Sequence, residues 1–134
     1  MANLLDVEGI GPVNAQKLKD AGVASTDALL KKGATPQGRQ EIADKTGLST
    51  ASILEWVNHV DLFRIKGVQE EYSDLLEEAG VDTIPELAQR NPDNLFDALM
   101  KTNQEKKIVR KLPGRKQVAG WVEQAKKLPR VINY

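Results

Sequence analysis

The stretch VEGIGPVNAQKLKDAGVAST, residues 7–26, returns 58 residues later as IKGVQEEYSDLLEEAGVDTI, residues 65–84. Val7 matches Ile65, Gly9 matches Gly67 and Ile10 matches Val68. Leu18 then matches Leu76, Ala21-Gly22-Val23 matches Ala79-Gly80-Val81, and Leu29 falls opposite Leu87. A second correspondence follows at an offset of 65, where Ile53, Trp56, Val57 and Val60 align with Val118, Trp121, Val122 and Ala125. Both sets are spaced i, i+3, i+4, i+7, which is one buried helical stripe. Self-similarity of this kind makes the chain two copies of one supersecondary unit. The two offsets differ by seven residues, close to two helical turns. The spacing therefore predicts that the helix after Pro92 is about two turns longer than the helix after Pro36.

Helix signals fill the rest of the pattern. Pro12 sits at a helix start, where its missing N–H costs nothing. In ATPQGRQEIADKTG, Thr35 is a cap, Pro36 the first helical residue and Gly47 a C-terminal stop. RNPDNLFDALM repeats the device with Asn91 and Pro92. Strand-like alternation between turns is absent, so the chain reads as all-α, with roughly eight or nine short helices. Each half runs through a short helix, a glycine hairpin, a helix, a connecting helix, a capped helix, a second turn and a tryptophan-bearing helix. The second turns are TGLST (46–50) and KLPGRK (111–116). The halves, 1–64 and 65–134, meet near HVDLFRIKGV, which holds no flexible linker, so they are expected to stack into one compact unit.

A chain of 134 residues, 40% apolar, has room for one compact domain or two small ones. No apolar run is long enough to span a bilayer, and MANLLDVEGIG lacks the basic start and long apolar core of a signal peptide. There is no cysteine, which removes disulfides, thiol nucleophiles and thiolate metal sites. A soluble cytoplasmic protein, with no membrane partner, is the expectation. The net charge of zero hides an asymmetry. Residues 1–64 carry a net −1, residues 65–100 carry −7 and residues 101–134 carry +8. Such a chain packs its own acidic and basic surfaces together or offers the basic one to a partner.

The hairpin carries the first chemical possibility. Glycines permit a sharp turn and Ile10 plugs between two helices, while the next helix N-terminus offers N–H groups and a positive dipole end to an anion. Any tight corner between packed helices needs the same glycines, and Asp6 and Glu8 flank the turn and oppose an anion. Val7, Gly9, Ile10, Gly11, Ala15, Leu18, Gly22 and Val23 together resemble the helix-hairpin-helix motif of DNA-repair and recombination proteins. The resemblance implies that the amides of Gly9, Gly11 and Val13 hold one phosphate, with Lys17 a turn further in. Such contacts read backbone rather than sequence. In the second half Gln69 replaces the second glycine, and Glu70 and Glu71 occupy the first helical turn, where they satisfy the dipole and repel a phosphate. That copy reads as a scaffold or a protein-facing surface.

The basic segment is the other candidate: Lys101, Lys106, Lys107, Arg110, Lys111, Arg115, Lys116, Lys126, Lys127 and Arg130. If 93–109 is one helix, Lys106 and Arg110 share a face, as do Lys107 and Lys111. Arg115 and Lys116 open the last helix directly after the LPG turn, where a phosphate is welcome. The other reading is a solvated face that compensates the acidic stretch. Trp56 and Trp121 are able to stack bases, but their place in apolar stripes predicts core packing. His59, the only histidine, has no second histidine or cysteine with which to share a metal and is expected on a helix surface or at an interface. KKGATPQGRQ has glycines and basic residues without the spacing of a nucleotide-binding loop. No nucleophile–base–acid set is visible, and no cofactor or metal site is expected.

A longer likeness runs through ILEWVNHVDLFRIKGVQEEYSDLLEEAGVDTIPELAQRNPDNL, EKKIVRKLP and WVEQAKKLPRVINY. It resembles a family of small, mostly bacterial proteins catalogued as a domain of unknown function and grouped with helix-hairpin-helix folds. The resemblance implies an all-α, tandem helix-hairpin-helix-like (SAM-like) architecture. The expected function is a non-enzymatic module that binds DNA or another nucleic acid weakly, through Gly9, Gly11, Val13 and Lys17 with Lys106, Arg110, Lys111, Arg115 and Lys116. The alternative is a protein-interaction scaffold that uses the acidic 70–86 surface.

Overall fold

The computed structural model describes residues 3–68 and 70–134, Glu70 by its main chain alone. A 3-10 turn at Leu4–Asp6 is followed by α1 (Gly11–Asp20), α2 (Thr26–Lys32), α3 (Pro36–Thr46) and α4 (Thr50–Leu62). Then come α5 (Glu70–Glu78), α6 (Ile84–Gln89), α7 (Pro92–Lys106) and α8 (Arg115–Lys127). The fold is all-helical, with no strand among the described residues. No helix among them is long and apolar enough to cross a membrane. The chain divides into two compact units: unit 1 runs up to Asp61 and includes Arg130–Tyr134, and unit 2 is Leu62–Pro129.

Unit 1 begins with a capping box, in which Asn3 Oδ1 accepts from the Leu5 amide at 2.9 Å and the Asp6 carboxylate accepts from the Asn3 amide at 2.8 Å. Val7 and Ile10 are buried on either side of Gly9, which turns the chain at φ +90°. Ser25 caps α2, Thr35 caps α3 ahead of Pro36, and Gly47 ends α3 at φ +76°, as the sequence indicates for the last three. The stripe Ile53, Trp56, Val57 and Val60 of α4 is buried, as are Leu18, Leu29 and Ile42. The tail Arg130–Tyr134 belongs to this unit. Ile132 is buried, the Asn133 amide donates to Ala34 O at 2.7 Å, and Tyr134 Oη donates to Asn58 Oδ1 at 2.8 Å.

In unit 2 the helices α5–α8 follow in the order of α1–α4, without a 3-10 turn among the described residues. Gly67 also turns at φ +90°, between buried Ile65 and Val68. The helix ends agree in detail. Val23 donates to Leu18 O and Val81 to Leu76 O, each at 2.8 Å, across left-handed Gly22 and Gly80. Thr83 caps α6 and Asn91 caps α7 ahead of Pro92. Leu75, Leu76, Leu87, Leu95 and Leu99 form one core with Val118, Trp121, Val122 and Ala125 of α8.

The extra length in the second half is divided differently from the expectation. α7 has 15 residues against 11 in α3, an excess of about one turn rather than two. The connection takes up the rest: residues 107–114 join α7 to α8 where residues 47–49 join α3 to α4. The helix stops because Lys107 is left-handed at φ 52° and Asn103 captures the chain beyond it. Asn103 Oδ1 accepts from the Val109 amide at 2.8 Å, and its Nδ2 donates to Val109 O at 3.1 Å. The single helix over 93–109, and with it the shared faces of Lys106 with Arg110 and of Lys107 with Lys111, does not form.

Candidate nucleic-acid interface

The Gly9–Gly11 hairpin leaves a helix N-terminus open. Ile10 is the N-cap of α1 and supplies no capping side chain, and Pro12 brings no N–H. Among the described residues, no acceptor takes the amides of Gly9, Gly11 or Val13. All three residues are exposed, Val13 at 70%. The Asp6 carboxylate, which opposes an anion in the sequence reading, is held on the Asn3 amide. Glu8 remains beside the turn, exposed. Lys17 is exposed one turn beyond Val13 on the same helix. From below, the turn is fixed by Trp56. A Cβ on Gly9 would lie 3.3 Å from the indole Nε1, a tight approach at a φ that already favours glycine.

The second hairpin has the same floor, since a Cβ on Gly67 would lie 3.2 Å from Trp121 Nε1. Trp121 is 1% exposed, and its Nε1 has no hydrogen-bond partner among the described residues. Gln69 and the side chain of Glu70 lie outside the described residues, while Glu71 is exposed in the first turn of α5. Its carboxylate stands where an incoming phosphate would need positive potential.

The basic segment splits in two. Lys106 donates to Glu78, a bond that first of all raises the lysine's pKa, with the Glu78 charge adding to it. Arg115 faces Asp93 at 3.3 Å and Asp97 at 3.6 Å and stacks over the Phe96 ring at 4.5 Å. These two cations are already engaged. Arg110 and Lys111 lie in the connection and Lys116 in the first turn of α8; all three are exposed, without an ion pair among the described residues. Tyr72 Oη donates to Lys111 O at 3.0 Å and fixes that part of the connection. Gly114, the N-cap of α8, provides no capping side chain, so the α8 N-terminus is open like that of α1.

Trp56 and Trp121 are core residues, and His59 is buried on α4. The glycines of KKGATPQGRQ are packing residues: a Cβ on Gly38 would fall 1.8 Å from Lys32 O, and one on Gly33 2.4 Å from Val57 Cγ2. Two residues escape the sequence reading. Asn103 sets the end of α7, and its only signal is an asparagine inside a helical pattern. Arg39 is buried on α3 beside the apolar stripe, where an arginine reads as solvated.

A family model described as a domain of unknown function, DUF4332, matches residues 8–128. No curated protein and no solved structure matches the chain.

Proposed function

This chain belongs to the DUF4332 family, and we propose that it is a non-enzymatic module of two helix-hairpin-helix-like repeats that binds nucleic-acid backbone weakly and without regard to sequence. One observation carries the reading. Side chains cap α2, α3, α6 and α7, whereas α1 and α8 carry no side-chain cap. Each open end follows a glycine or begins with one, and each has an exposed lysine close by, Lys17 or Lys116. Open amides with a nearby cation favour a phosphate and carry no base information.

Lys17, Arg110, Lys111 and Lys116 supply the electrostatics of this reading, with Lys106 and Arg115 held back by their carboxylates. Four contacts on duplex DNA correspond to a salt slope of about −3.6 and to roughly micromolar or weaker affinity. Fluorescence anisotropy with a short duplex and a single strand at several salt concentrations measures it. Lys17→Ala should reduce the slope by about one, and Arg110→Ala/Lys111→Ala/Lys116→Ala should leave a slope of about −0.9, the single contact of Lys17. Absence of binding to either strand at low salt sinks the reading.

The ion pairs of Lys106 and Arg115 favour a second reading, in which the basic segment compensates acids of its own unit. The chain is then a protein-interaction scaffold that presents the exposed Glu71, Asp82 and Glu86 of the acidic 70–86 stretch.

A further inference from the structure

We propose that unit 1 holds a site for a small carboxylate with a short apolar chain, in the groove between α3 and α4 that Arg39 lines. The groove has a volume of about 310 Å³ and is bounded by Pro36, Arg39, Gln40, Thr50, Ala51 and Leu54. That is the lower end of the ~300–1,000 Å³ common to small-molecule pockets. The site is independent of the nucleic-acid reading and shares no residue with it.

Arg39 is 5% exposed, and its guanidinium donates from Nη1 to Gly33 O and from Nη2 to Asn133 O, each at 2.8 Å. Both acceptors are neutral carbonyls. A guanidinium has five N–H donors, so most of its capacity is unused. Among the described residues no carboxylate pairs with it. Gly33 is the C-cap of α2, so the negative end of that helix offsets part of the charge, which explains why the chain folds with it. A full countercharge is still missing, and a buried cation is costly without one.

The rest of the lining indicates which anion fits. Pro36, Ala51 and Leu54 form an apolar wall, Thr50 adds a hydroxyl, and Gln40 adds an amide whose Nε2 donates to Asp44 Oδ1 at 2.9 Å. None of the exposed acids of the same helices lines the groove: Glu41 and Glu55 are absent from it, and Asp44 meets it only through its bond to Gln40. The planar fork of arginine suits a carboxylate, and the wall suits an alkyl chain attached to it.

Titration of the ¹⁵N-labelled full chain with acetate, butyrate and hexanoate, with inorganic phosphate as comparison at matched ionic strength, tests the site. Saturable amide shifts at Gln40, Thr50 and Ala51 are expected, with affinity rising about fourfold per methylene until the groove is filled. Ala51→Trp, at an exposed position on α4, fills the groove and should abolish the shifts in a folded protein. Arg39→Lys keeps the charge but loses the fork and should weaken hexanoate at least tenfold. Should that variant fail to fold, the Ala51→Trp result decides. Equal affinity across the series, an equal response to phosphate, or shifts that persist in Ala51→Trp would overturn the proposal.

Discussion

At the scale of single residues, the two hairpins depend on what lies beneath them. Gly9 and Gly67 share φ +90° and an indole Nε1 3.3 and 3.2 Å from the place of a Cβ, whereas Gly11 at φ +69° has nothing within 4 Å. Gly11→Ala meets only backbone strain, about 1–2 kcal/mol. Gly9→Ala and Gly67→Ala meet the same kind of strain and must also displace a buried tryptophan, so each should cost more, about 2–3 kcal/mol. Urea unfolding of the three variants checks the order, and Gly11→Ala as the worst of them would contradict it. The repeat made the glycines legible, and the tryptophans as well, as buried partners at matched positions. It did not show that each tryptophan touches its own glycine. That contact joins residues far apart in sequence, and periodicity reports only the face of a helix.

At the scale of elements, pattern predicted caps better than ends. Thr35-Pro36 and Asn91-Pro92 were readable because a cap and a first-turn proline act locally. The end of α7 was not, since it depends on a lysine in left-handed geometry and an amide reaching six residues ahead. Asn103→Ala removes both bonds to Val109 and leaves its part-buried amide and carbonyl without those partners, a loss of about 2 kcal/mol by thermal or urea unfolding. A cost near zero would mean that Lys107 alone ends the helix. The start of α6 gives a pH-dependent case. Partial desolvation raises the pKa of the otherwise exposed Glu86, and a hydrogen bond and charge from Asp82 raise it further. An acid with a raised folded-state pKa binds its proton more tightly when folded. Its stabilising contribution is therefore complete below the ordinary carboxylate range and is lost as pH rises through the raised value. Glu86→Gln should raise the melting temperature slightly at pH 7 and leave it unchanged near pH 4; a gain of equal size at both would assign the effect to something other than charge.

For the molecule as a whole, the zero net charge is the sum of an acidic and a basic block, and most of both falls in unit 2. Charge runs along a sequence do not tell which cations are already taken, because Lys106–Glu78 and Arg115–Asp97 are pairs made by the fold. The same limit hid the role of the last five residues, which follow the second repeat in sequence and complete unit 1 in space. Their deletion withdraws buried Ile132, the Asn133–Ala34 bond, the Tyr134–Asn58 bond and one of the two carbonyls that hold Arg39. Burying Ile132 is worth about 2 kcal/mol, and each hydrogen bond about 1 kcal/mol net, against the entropy of ordering a short segment. Each unit holds one tryptophan, so Trp121→Phe leaves Trp56 as the fluorescent reporter of unit 1. In that background, removal of residues 130–134 should lower the urea midpoint that Trp56 reports. An unchanged midpoint would show that the tail rests on unit 1 without supporting it.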